Sequence, residues 1–253
     1  MPKQDLVLSK PLLNAAGSLG FVPDLRAPID WDSFGAFVAN PISLRPRHAT
    51  EAPALIEYPG GLLIHSGLPN PGFRRVLRRC SRAWAESPLR IVVNLMADRP
   101  EETREMVLAL EAQENILAIE LSFAPLLADD LILLAVEMSM GEIPIIVSLP
   151  PDQVLRLGPQ VEARGAAAIS LGPPRGTIAT SGKTVSGRLF GPSLFPLSLE
   201  LVRAGCKLGL NTIGSGGVFS ASDAEAMLSC GAMAVEMDVV LWQPPGKAKS
   251  PVS

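Results

Sequence analysis

The chain is short of the residues that hold metals. Two histidines and three cysteines occur in 253 residues. His48, His65, Cys80, Cys206 and Cys230 form no cluster with ligand spacing and no Cys-x-x-Cys pair. No metal is therefore expected, and an odd, scattered set of thiols fits reduced cysteines in a cytoplasmic protein rather than a disulfide framework. Also missing is any uncharged apolar run of membrane-spanning length, and the opening MPKQDLVLSKPLL has no signal-peptide core, so a membrane partner is not expected. Charge is balanced, with 22 Lys and Arg against 25 Asp and Glu. Without a long basic run, nucleic acid and anionic membranes are unexpected partners. The densest basic stretch, GFRRVLRRCSR at 72–82, reads at helical spacing as a solvated helix face. Aromatic residues are scarce, and the one tyrosine and three tryptophans make no stacking platform.

What the chain does have is apolar residue in quantity, 47% of the total with a mean hydropathy of +0.29, enough for a large core. Short apolar runs at 12–17, 35–40, 90–95, 116–121, 143–149, 166–172, 210–215 and 233–237 are mostly continuous Ala, Val, Ile and Leu. Continuous runs suit strands buried on both faces of a parallel sheet. Amphipathic segments at 100–114, 129–141, 151–165, 192–205 and 220–231 lie between them. Pro159 should break or kink the third of these, and Ser220 or Ser222 should cap the last. Eight strands with helices between them predict an α/β fold, a single-domain (β/α)8 TIM barrel over 1–242, with an open doubly wound sheet as the alternative. The tail 243–253 is expected to be disordered. Two Pro/Gly-rich stretches, 41–72 and 172–191, fit neither strand nor helix. Each follows a strand end, which in a barrel puts it over the C-terminal mouth where sites are built.

The stretch NTIGSGGVFSASDA at 211–224 runs from a strand through Gly216 and Gly217 into a helix start. Such glycines let backbone N–H groups approach a phosphate, and the helix behind adds its positive dipole end. An ordinary strand-to-helix turn would read the same way.

In order along the chain, NAAGSLGF (14–21), YPGGLLIHSGLPNPG (58–72), IVVNL (91–95), GRLFGPS (187–193) and IGSGGVFSASDAEAMLSCGAMAVEM (213–237) resemble motifs of the dihydroorotate dehydrogenase family. The resemblance spans roughly 12–240. It implies an FMN-dependent (β/α)8 oxidoreductase of pyrimidine biosynthesis acting on a small molecule. The cofactor would lie among Ala15, Ala16, Gly17, Asn40, Asn94, Ser148, Gly191, Gly216 and Gly217, with Gly67, Leu68 and Asn70 on the substrate side. Members are commonly dimers, so a homodimer is the assembly implied.

Several positions depart from the family pattern. Asn40 and Ser148 stand where it has two cofactor lysines, and a serine brings no positive charge to a reduced flavin. In IELSFAPLLADD (119–130), Pro125 matches the family's proton-abstracting Cys or Ser and cannot take a proton. Ser122 and His65 are the remaining candidates for acid–base work, and Ile64 replaces a substrate asparagine. Asp238-Val239 replaces the Gly-Thr that closes the phosphate site, and a carboxylate repels a phosphate dianion. Three functions stay open: an FMN oxidoreductase with altered or lost dihydroorotate activity; a non-catalytic barrel acting as partner subunit or small-ligand binder; and a non-flavin enzyme holding an anion with Arg45, Arg47, His48 or Arg175.

Overall fold

The computed structural model describes residues 5–51, 54–180 and 182–242. Eight parallel strands close into a barrel: β1 (Leu12–Asn14), β2 (Phe34–Val38), β5 (Arg90–Met96), β6 (Ile116–Ser122), β7 (Ile145–Leu149), β8 (Ala168–Leu171), β11 (Thr212–Ser215) and β12 (Ala234–Met237). Closure comes from β12 pairing with β1, Asn14 opposite Met237. The eight apolar runs are these eight strands. The expected tail, 243–253, lies outside the described residues.

Helices α1 (Phe73–Ala85), α2 (Pro100–Glu111), α3 (Asp129–Met138), α4 (Pro151–Ala163), α5 (Phe195–Lys207) and α6 (Ala221–Ser229) surround the barrel. The basic stretch at 72–82 opens α1, whose buried residues are Phe73, Val76 and Trp84 while its arginines lie outside. The Trp84 ring is fully buried and its Nε1 donates to the Phe21 carbonyl at 2.7 Å, which ties α1 to the β1–β2 connection. Two expectations are corrected. Helix α4 runs unbroken through Pro159; the carbonyl that loses its partner belongs to Leu155, on the exposed side, where water can replace the missing N–H. The stretches 41–72 and 172–191 are also structured. They carry β3 (Leu55–Tyr58), β4 (Gly61–Ile64), β9 (Arg175–Thr180) and β10 (Lys183–Phe190), an antiparallel sheet in the order β3-β4-β10-β9. Prolines and glycines at the turns hid four short strands whose residues are mostly half exposed.

Side chains alternate along each barrel strand, so every second residue points inward. The inward set begins with an apolar layer that includes Leu13, Val38, Val92, Ala118, Ile146, Ala168, Ile213 and Ala234. Two residues further along the strands come Asn94, Glu120, Ser148, Ser170, Ser215 and Glu236, a polar layer beneath the mouth. A larger apolar cluster, including Phe37, Ile91, Leu121 and Val147, fills the space between strands and helices.

Candidate functional site

At the C-terminal end of the barrel strands lies a cavity of about 250 Å³. One wall is the β1 end, Ala15, Ala16 and Gly17; a second is Asn40 and Pro41 after β2. The small antiparallel sheet forms the roof, with Ile64, Ser66 and Leu68 from one side and Arg188 and Phe190 from β10. Asp238, Val239 and Trp242 complete it. Arg188 and Phe190 share a face of β10 by the two-residue alternation, and Arg188 stands opposite Ile64. Trp242 is fixed by its Nε1 donating to the Ser18 carbonyl at 2.7 Å.

The residues expected around a cofactor are divided by this geometry. Ala15, Ala16, Gly17 and Asn40 line the cavity, and Asn40 Oδ1 accepts the Gly20 N–H at 3.0 Å. Asn94 and Ser148 lie instead in the polar layer of the barrel. Asn94 Nδ2 donates to Glu120 at 2.7 Å. Ser148 pairs in register with Ser170 and stands against Gly172, where an added Cβ would be 3.2 Å from its Oγ. Gly191, at φ +138°, packs its backbone on the β3–β4 turn; a Cβ there would lie 2.4 Å from the Gly60 carbonyl oxygen. Of the substrate-side set, Leu68 lines the cavity. Asn70 is a buried brace whose Oδ1 accepts the Gly72 N–H at 3.0 Å, and the Gly67 carbonyl accepts from Arg47 Nε at 3.2 Å.

The two acid–base candidates are not brought to a reacting position. Ser122 Oγ donates to Asn94 Oδ1 at 2.9 Å and so faces the polar layer. His65 falls one residue out of step with Ile64 and Ser66 and does not line the cavity. Of the proposed anion contacts, Arg175 is exposed on β9 and Arg47 is held by Gly67. Arg45 joins Arg74, Arg75 and Arg78 around a separate open groove on the outside of the barrel. Among the described residues no group of three His, Cys, Asp or Glu side chains is placed to hold a metal. No helix among them is long and apolar enough to cross a membrane.

Gly216 and Gly217 do form a tight turn, at φ +94° and +78°. Gly217 packs so closely on the start of α5 that a Cβ would meet the Phe195 nitrogen at 2.4 Å. Facing it is Asp238, which is only 3% exposed. Burial pushes its carboxyl up to about 6, while the N–H groups of Val239, Gly217 and Val240 favour the charged form. None of these amides reaches Oδ1 in hydrogen-bonding geometry, and among the described residues that buried oxygen has no partner. The place where a cofactor phosphate would take these amides therefore already holds a carboxylate. A phosphate dianion does not fit beside it while Asp238 is ionised.

Sequence reasoning missed three residues. Glu120 and Glu236 are fully buried and hydrogen-bonded to each other, with Ser170 Oγ donating to Glu120 at 2.6 Å. Burial raises both carboxyls; the Glu120 charge raises Glu236 further, while Asn94 and Ser170 favour ionised Glu120. Glu236 thus carries the proton and donates to the Glu120 carboxylate. The signal was the alternation in AVEMD, which turns Glu236 and Asp238 inward together. The third is Arg188, which lies inside the quoted GRLFGPS stretch. Its guanidinium rests 5.7 Å from the Phe190 ring centroid, and burial, then the charge of Arg175, lowers its pKa to about 10.

A closed parallel (β/α)8 barrel with a cavity at its C-terminal mouth defines the class, an α/β barrel of the kind in which sites are built at the strand ends. The family model for dihydroorotate dehydrogenase matches residues 4–245, and the chain belongs to that family of oxidoreductases. Among its relatives, the dihydroorotate dehydrogenase B (NAD(+)) catalytic subunit of Geobacillus sp. (strain WCH70) is 27% identical, over 91% of this chain and 80% of the relative. The protein of the same name from Streptococcus pneumoniae serotype 4 is 29% identical, over 91% and 82%. The crystal structure of the Eimeria tenella dihydroorotate dehydrogenase in complex with ferulenol aligns over 92% of this chain and 76% of that one, with a TM-score of 0.71 and 17% identity, which speaks to the fold.

Proposed function

We propose that this chain is a dihydroorotate dehydrogenase-family barrel that has given up FMN-dependent oxidation of dihydroorotate and keeps its mouth as a binding site for a small molecule. The observation that carries this reading is the buried Asp238 carboxylate among the amides of the phosphate turn. Other features agree with it. Ser148, in place of a lysine, brings no cation to a reduced flavin. The Ser122 hydroxyl is committed to Asn94 rather than to a base. Pro125 has no proton-accepting group. The matching relatives are named catalytic subunits, so a role beside a second subunit is compatible with this reading.

A second reading, a flavin oxidoreductase with another substrate, is favoured by one observation: Ala15, Ala16 and Gly17, from the motif that resembles the family's, line the cavity. It would need the Asp238 carboxyl to be protonated or displaced when FMN binds. The test is dihydroorotate-dependent reduction of a dye by the purified protein in the presence of added FMN. The proposal expects no turnover above a no-enzyme control. Turnover comparable to that of an active relative would overturn it.

A further inference from the structure

Outside the barrel, and sharing no residue with the mouth cavity, a groove of about 400 Å³ lies between the loop after β2 and the start of α1. That volume is in the range of small-ligand pockets. Four arginines line it, Arg45 from the loop and Arg74, Arg75 and Arg78 from α1. With Glu105 they give the wall a formal charge of +3, in a chain whose net charge is −3. The backbone that carries them is fixed. Gly72, at φ +83°, lets the loop sit on the helix start so closely that a Cβ would lie 2.9 Å from the Pro46 nitrogen. Asn70 Oδ1 accepts the N–H groups of both Ser43 and Gly72, at 3.3 and 3.0 Å.

The arginines are only partly neutralised. Arg74 pairs with Glu105 at 3.3 Å, and Arg45 reaches Glu102 at 3.9 Å. Among the described residues Arg75 and Arg78 have no ion pair and no side-chain hydrogen bond. At roughly 100° per residue, Arg74, Arg75, Arg78, Arg79 and Arg82 share about 140° of the helix, opposite the buried Phe73, Val76 and Trp84. Like charges three and four residues apart destabilise a helix, and an anion seated among them removes the repulsion.

We propose that this groove binds a small metabolite bearing a diphosphate, anchored on Arg75 and Arg78 with Arg45 and Arg74 beside them. Guanidinium forks match phosphate oxygens with paired N–H···O bonds. A monophosphate brings at most about two negative charges, so a diphosphate balances the wall better. Leu44, Pro46 and Pro71 leave apolar surface for the rest of the ligand. A nucleic acid is disfavoured by size. Arg74 to Arg82 spans about 12 Å of helix axis, enough for only about three or four phosphates of a strand. Glu86, Glu102 and Glu105 stand beside the row, each paired with one of its arginines or with Arg45. The site does not depend on whether the mouth holds FMN.

The test is calorimetry on the purified full chain in about 0.15 M salt. The probes are pyrophosphate, adenosine diphosphate, inorganic phosphate, adenosine and a short DNA duplex. Pyrophosphate and adenosine diphosphate are each expected to bind about tenfold or more tightly than phosphate, adenosine or the duplex. Arg75→Gln with Arg78→Gln should weaken both diphosphates about tenfold or more. Arg26→Gln with Arg203→Gln removes the same charge from exposed positions elsewhere and should leave binding within about twofold. All these arginines are exposed, so both double variants should fold, and their thermal unfolding checks it. No binding of either diphosphate at millimolar concentration would overturn the proposal. So would equal losses in the two double variants, which would mean a general effect of charge, or diphosphate binding that survives Arg75→Gln with Arg78→Gln. Tighter binding of the duplex than of adenosine diphosphate would also overturn it and assign the arginines to a nucleic acid.

Discussion

The Asp238 carboxylate faces the backbone N–H of Gly217, across the gap between the turn after β11 and the end of β12. These two chain segments meet one another through a carboxylate. The turn remains well formed, with both glycines at positive φ and α6 capped by Ser220 and Asp223 in a reciprocal box. What has changed is the charge at its centre.

That change has a pH signature. The Asp238 carboxyl moves from an ordinary 3.8 to about 6 on folding. The folded state therefore holds this proton more tightly than the unfolded chain. Stability from this group is fully present below about pH 4 and is lost as the pH rises through about 6, and a difference of about two pH units corresponds to about 3 kcal/mol. Asp238→Asn should accordingly be more stable than the parent at pH 8 by about 1–3 kcal/mol and show little gain at pH 4. Urea unfolding of both proteins at the two pH values measures it. An equal effect at both would contradict the burial of an ionised carboxylate.

The Glu120–Glu236 pair makes a separate prediction. Glu236 donates a proton to Glu120 inside the barrel, so an amide in its place preserves the hydrogen bond and removes the titration. Glu236→Gln should fold with unchanged or higher stability at pH 8. Glu236→Ala leaves Glu120 buried and short of a donor and should cost about 2–4 kcal/mol. Denaturant midpoints for the two variants distinguish them; similar losses in both would mean that the carboxyls do not share a proton.

Much of the barrel was legible because parallel strands covered on both faces must be apolar almost throughout, as IVVNL and ILAIEL are. The strands of the roof were not. LIEY and RGTIAT are exposed on alternate residues and lie between prolines and glycines, so locally they read as loop. The cavity was half legible. Ala15, Ala16, Gly17 and Leu68 sit in family motifs. The role of Arg188 depends on β10 folding back over the β1 end to meet Gly17, a contact between distant parts of the chain with no local signature. Asp238 was recognised as a charge conflict, but its depth and its unpartnered oxygen follow from the inward alternation of β12.

Gly217 is predicted to resist substitution for a geometric reason. A Cβ would require a left-handed backbone at φ +78° and would meet the Phe195 nitrogen at 2.4 Å. Gly217→Ala should lose about 2–3 kcal/mol or shift the start of α5. Thermal unfolding checks the first outcome, and a fully stable variant would place the turn elsewhere.

Restoring the family's chemistry at two positions should restore cofactor affinity. Ser148→Lys combined with Asp238→Gly supplies a cation and removes the carboxylate from the amides. The double variant should bind FMN about tenfold or more tightly than the parent in a flavin-fluorescence titration. No gain would mean that these residues do not govern the cofactor site.

The most direct measurement is an absorption spectrum of the purified parent protein, taken as isolated and again after incubation with FMN and removal of the excess. A buried carboxylate in the phosphate turn predicts a colourless protein on both occasions. A flavin spectrum that stays with the protein would contradict the account, because the phosphate would then have found room beside Asp238.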